Sequence, residues 1–131
     1  GGCQAEIGSA SAMAAGGVVH LSGGSAKEIA NAAALALKNL LGLACDPVAG
    51  LVEVPCVKRN VMGAVNALTS ADLTSAGIFR QIAPDEVIDA MRSIGRSMSE
   101  DIRETGKGGL AGTPTGVEIR ERMAGGRTQE A

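Results

Sequence analysis

Phe79 is the only aromatic side chain in this chain of 131 residues, which has no Trp and no Tyr. Ala, Gly, Leu, Val and Ile must therefore fill the core, and small side chains fill space at protein density only where backbones approach closely. Helices with flat, small-residue faces meet that condition. Gly8, Ala12 and Gly16 recur at steps of four and make one such face. Residues 7–26 carry no charged side chain, but their glycines, serines and His20 make a poor membrane span. The segment reads as a helix buried in protein.

The rest of the chain has the same helical texture. A first helix is expected over about residues 6–21. Ser25 and Glu28 stand at the spacing of a capping box and open a second helix to about Leu41. That helix is apolar almost all round, which means burial on several sides, and Gly42 suits its C-terminal turn. Pro55 fits the first position of a third helix, running to about Ala71 and burying Val61, Ala64, Val65 and Leu68. Pro84 opens a fourth, whose stripe is Val87, Ile88, Met91, Ile94, Met98 and Ile102, ended by residues 106–109. Residues 113–116 introduce a short charged helix to about Met123. Leu51-Val52-Glu53-Val54 is the one β-like run, and it is short. The expectation is an all-α fold: a compact helical domain of about five helices over residues 1–124, with a cysteine-bearing loop between the second and third, then a solvated tail over 125–131.

Charge narrows the partners. Twelve Lys or Arg stand against fourteen Asp or Glu, a net charge of −2, which gives no reason to expect nucleic acid or an anionic membrane. The base-stacking aromatics of single-strand binders are missing as well. Three cysteines are an odd and sparse set for a secreted scaffold, so a reducing cytoplasm is expected. The start of the chain, Gly1, has no secretory signature.

The chemistry concentrates in Cys45-Asp46-Pro47-Val48-Ala49-Gly50-Leu51-Val52-Glu53-Val54-Pro55-Cys56. Pro, Gly and Pro between the cysteines disfavour a continuous helix and favour a folded-back loop. Cys3 precedes the first helix, and Cys56 falls in the first turn of the third, where free N–H groups and the helix dipole favour an anionic centre. Two readings stay open on spacing alone. The three thiolates hold one metal centre with a non-protein fourth ligand, or they are small buried apolar side chains. Zinc sites usually contain a close cysteine pair, and none occurs here.

Gly2-Cys3-Gln4-Ala5-Glu6-Ile7-Gly8-Ser9-Ala10 resembles the first cluster motif of the iron–sulfur-dependent L-serine dehydratases, or L-serine ammonia-lyases. The loop from Cys45 to Cys56, with its flanks over residues 38–60, resembles the second. Arg103-Glu104-Thr105-Gly106-Lys107-Gly108-Gly109-Leu110-Ala111-Gly112-Thr113-Pro114-Thr115-Gly116 resembles the end of the alpha chain in the two-chain form, so the resemblance is to the C-terminal catalytic part of that chain. It implies a [4Fe–4S] cluster on Cys3, Cys45 and Cys56. It also implies conversion of L-serine to pyruvate and ammonia, with the open iron acting as a Lewis acid on the substrate hydroxyl. A beta chain of the same enzyme and an oligomeric assembly are implied as partners. Family alpha chains are longer at the front, and that part carries substrate-contacting Ser and His residues. The chain is thus expected either to be a lyase or to act only with that part or a partner chain.

Other side chains carry two readings each. His20, the only histidine, is a base, a fourth ligand of a structural zinc site, or an ordinary surface or packed residue. Lys58 and Arg59 attract the serine carboxylate, offset cluster charge, or face solvent. Asn60, one turn beyond Cys56, donates to a sulfur or to substrate, or is a polar surface residue. Asp46 is expected to hydrogen-bond within its own turn. Residues 106–116 lack the spacing of a phosphate loop and are expected to form a flexible closure.

Overall fold

The computed structural model describes residues 1–126. A π-helical turn, Gln4–Gly8, runs directly into α1, Ser9–Leu21. Then follow α2, Ala26–Asn39, α3, Cys56–Ser75, α4, Pro84–Ser97, and α5, Pro114–Gly126. Short 3-10 turns lie at Val48–Gly50, Glu100–Ile102 and Gly109–Gly112. Among the described residues there is no β-strand, only an isolated bridge between Cys45 and Arg103. The all-helical expectation holds, with the cysteine loop between α2 and α3. Residues 127–131 of the expected tail lie outside the described residues, and α5 continues past the expected boundary at 124.

The core is built from small side chains. Ala15, Val19, Ala32, Ala36, Ala67 and Ala71 form one buried cluster between α1, α2 and α3. A methyl group added to Gly8 would stand 3.4 Å from Leu37 Cδ1, and one added to Gly16 would stand 3.3 Å from Ile29 Cγ2, so the glycine face of α1 lies against α2. Between α1 and α3 the approach is closer still. A methyl group on Gly63 would meet Ile7 Cγ2 at 2.8 Å, and Ser11 Oγ donates to the Gly63 carbonyl at 2.7 Å. Asn66 Nδ2 then donates to Ser11 Oγ and to the Ala36 carbonyl, 2.9 Å each, tying all three helices together.

Local signals are realised at the helix starts. Ser25 and Glu28 form the reciprocal capping box, which satisfies two otherwise orphaned N–H groups. Pro84 is the first residue of α4, and Glu86 accepts from the Ala83 N–H at 3.1 Å. Pro55 is the cap of α3 rather than its first residue, which is Cys56.

Two expectations are overturned. The apolar residues expected to be buried by α3 face outward: Val61 is 63% exposed, Val65 58% and Leu68 55%, and Ala64 is exposed too. The helix instead turns Gly63, Ala67, Ser70, Ala71 and Thr74 inward, because only small side chains permit the short distance to α1. The fourth helix ends at Ser97, not near residue 106, when Met98 takes an extended conformation. Of its expected stripe Val87 is fully buried, while Ile88 remains 42% exposed. No helix among the described residues is long and apolar enough to cross a membrane.

Candidate metal centre

Three segments deliver one sulfur each. Cys3 stands at the head of the π-helical turn, Cys45 follows α2 in the loop, and Cys56 opens α3. All three are buried, and their Sγ atoms lie within 4.8 Å of one another. No other His, Asp or Glu among the described residues joins the group. His20 sits in the last turn of α1, exposed, so the expected role as fourth ligand is not met by its position. Ile7 and Leu40 pack around Cys3 and Cys45 in a small apolar cluster, with Leu43 against it.

The loop that carries Cys45 is fixed from both sides. The Cys45 N–H donates to the Ile102 carbonyl at 2.9 Å, and the Glu104 N–H donates back to the Cys45 carbonyl at 2.8 Å. Asp46 is the anchor. It accepts from Arg59 Nη1 at 2.6 Å and from the Leu110 N–H at 2.7 Å. Arg59 Nη1 also donates to the Ala44 carbonyl at 2.8 Å. The expectation that Asp46 serves its own turn is therefore too local, since these partners lie on α3 and on the last 3-10 turn. Gly109, at φ +58°, passes so close that a Cβ there would collide with Asp46 Oδ2. Residues 106–116, expected as a flexible closure, are a fastened strap. The Gly116 N–H is itself held by Thr113 Oγ1 at 3.2 Å.

The electrostatics of the pocket depend on what occupies it. Burial pushes the Cys45 thiol up to about 12, helped by its hydrogen bond with Cys3 and by the charges of Cys3, Cys56 and Glu104. Burial raises Cys56 as well, with Cys3 adding to it and Arg59 opposing. Burial and mutual repulsion thus favour the protonated thiols of Cys45 and Cys56 unless a cation shares the site. A metal ion would supply that cation, and the donor set suits a soft one that accepts thiolate. Burial alone would raise the Asp46 carboxyl; the Leu110 N–H and Arg59 more than offset it, so its pKa is lowered. Burial would lower the Arg59 guanidinium, yet Asp46, and then Cys3, hold it raised. Arg59 thus places a permanent positive charge beside both the carboxylate and the sulfurs.

The remaining candidates separate. Lys58 is exposed. Asn60 is exposed too, and its Nδ2 donates to the Cys56 carbonyl at 3.0 Å, not to a sulfur. It lines a cleft of about 170 Å³ between α1 and α3. Sequence reasoning missed Gln4, which is 1% exposed. Its Nε2 donates to the Met91 carbonyl at 2.9 Å and its Oε1 accepts from the Gly42 N–H at 3.0 Å. The residue beside Cys3 thereby locks the pocket to α4 and to the end of α2. Adjacency to a cysteine was the only signal for it.

Comparison with known proteins gives the chain's relatives. The family model of the serine dehydratase alpha chain matches residues 1–111. The chain is 61% identical over 126 residues to a probable L-serine dehydratase alpha chain of Bacillus subtilis, covering 96% of this chain and 42% of that protein. It is 60% identical over 125 residues to a probable L-serine dehydratase alpha chain of Latilactobacillus sakei, covering 95% and 60%. It is 54% identical over 120 residues to the L-serine dehydratase alpha chain of Peptoniphilus asaccharolyticus, covering 92% and 41%. The chain thus spans about half the length of these relatives. With a family model matched over residues 1–111, a span that holds all three cysteines, this chain belongs to the serine dehydratase alpha chain family.

Proposed function

We propose that the chain is the iron–sulfur part of an L-serine dehydratase, with Cys3, Cys45 and Cys56 as the three protein ligands of a [4Fe–4S] cluster. The observation that carries this reading is the convergence of three buried sulfurs, with no fourth protein ligand beside them among the described residues, in a chain of this family. Clusters of this type are held by cysteine thiolates. When bound, such a cluster supplies a Lewis acid at its open iron for the hydroxyl of L-serine, which is converted to pyruvate and ammonia.

The chain's own residues hold and tune the site. Cys3 and Cys56 begin helices, so unsatisfied N–H groups and the positive dipole end face the anionic centre. Arg59 adds a fixed positive charge, and its pair with Asp46 keeps the Cys45 loop in place. Lys58 and Asn60 are the candidates for contact with the substrate, on the exposed side of the first turns of α3. The working enzyme includes the polypeptide that this chain does not span. It also includes a beta chain, as an oligomer in the cytoplasm.

The reading is tested by anaerobic reconstitution with iron and sulfide. A brown, oxygen-sensitive protein with about four iron and four sulfide per chain is expected, on an ultraviolet background left nearly blank by the absence of Trp and Tyr. Cys45→Ser should lose the colour. A colourless protein without iron, or a Cys45→Ser variant with unchanged iron, overturns the proposal. Tight zinc in place of iron would make the site a structural zinc centre. Pyruvate formation from L-serine is expected only after the remaining parts of the enzyme are supplied.

A further inference from the structure

The outward side of α1 and α3 is apolar where a soluble surface would be charged. Val57, Val61, Val65 and Leu68 stand along one stripe of α3, each more than half exposed. Ala10, Ala14 and Met13 stand exposed on α1 beside them, Met13 at 78%. Neither α1 nor the stretch of α3 over residues 61–71 contains Asp, Glu, Lys or Arg. Exposed Glu6, Lys58 and Asp72 appear only at the margins. Between the helices runs the cleft of about 170 Å³, floored by Ile7, Ser11 and Gly63. An apolar patch with a polar rim and a central groove has the anatomy of an interface, and two parallel ridges with a groove between them accept a third helix.

We propose that this face docks an uncharged, apolar helix from the part of the alpha chain that the relatives possess and this chain does not span. Three observations favour that occupant over a second copy. The chain accounts for only 42% of the Bacillus subtilis relative's length while matching over 96% of its own, so the larger part of such a protein lies outside it and is at hand to cover this face. The face adjoins the cysteine pocket, since the cleft is lined by Ile7, which packs on Cys3, and by Asn60, one turn beyond Cys56. A two-fold contact with a second copy would set Met13 and the valine ridges against themselves and leave the groove between them unfilled. The inference does not depend on which metal the sulfurs hold, and its test reads binding rather than activity.

The 131-residue chain is co-expressed with a tagged polypeptide made of the portion of the Bacillus subtilis relative that it does not match. A one-to-one complex is expected. Val61→Lys with Val65→Lys should weaken it roughly a hundredfold while leaving the helical circular dichroism and melting of the isolated chain unchanged. Glu121→Lys, on exposed α5, should leave binding intact. A complex insensitive to the paired lysines overturns the proposal. So does a stable dimer of the isolated chain, by sedimentation, that the paired lysines dissolve. Should the tagged portion not fold alone, this chain is grafted in place of its match in the relative. The paired lysines must then lower the melting temperature of the graft but not of the isolated chain, and equal shifts overturn the proposal.

Discussion

The first turns of α1 and α3 and the outer faces of the same helices meet solvent in opposite ways. Around the first turns, polar groups from distant parts of the chain close on one another: Arg59 on Asp46, the Leu110 N–H on Asp46, and Gln4 on Met91 and Gly42. One to three turns further along, Val61, Val65 and Leu68 are each more than half exposed. The cysteine pocket is thus fastened within the chain, whereas the outer face of the helices behind it is left exposed. Burial by small residues explains how both arise from one helix. Gly63 and Ala67 let α3 sit close to α1, and the larger side chains are left to point the other way.

Four substitutions probe that contrast. The largest effect is expected at the self-contained pocket. Asp46→Ala leaves the Arg59 guanidinium, whose side chain is 19% exposed, without its counter-ion, and should cost about 3–5 kcal/mol in urea unfolding. A cost below about 1 kcal/mol would show that the pocket is not held by this pair. Gly109→Ala comes next, at roughly 2–4 kcal/mol, because a Cβ at φ +58° meets Asp46 Oδ2 and adds overpacking to backbone strain. Its cost and that of Asp46→Ala should be less than additive in the double variant, since removing the carboxylate removes the clash; strict additivity would separate strap from anchor.

Gly63→Ala tests the contact that joins the two regions. Its methyl group would stand 2.8 Å from Ile7 Cγ2, and about 1–3 kcal/mol should be lost. Val65→Lys should change the stability of the isolated chain by less than about 0.5 kcal/mol. A larger loss would mean that the outer face is already covered, and the contrast would fail.

What could be read from the sequence follows from the range of each interaction. The helix starts at Ser25 and Pro84 were legible because a cap is decided within four residues. The glycine face of α1 was legible because Gly8, Ala12 and Gly16 keep a helical step. Convergence of Cys3, Cys45 and Cys56 was legible from the loop punctuation together with the motif resemblance. The partners of Asp46 were not, since Leu110 stands 64 residues away and a main-chain N–H leaves no trace in residue type. On α3, periodicity marked Val61, Ala64, Val65 and Leu68 for burial, and they are exposed. The small residues opposite, which do make the core, carry a weaker apolar signal. The π-helical start at Gln4–Gly8 has no sequence signature that would distinguish it from an α-helical turn.

The bonds from Ile102, Glu104 and Leu110 to Cys45 and Asp46 also impose an order of events. Synthesis proceeds from the N-terminus, so all three thiol-bearing residues are made before the polypeptide that fastens Cys45 and Asp46 exists. For the time needed to translate some fifty further residues, at about 5–20 residues per second, the sulfurs stand open to any delivery machinery. Afterwards the door is shut by the chain's own C-terminal third.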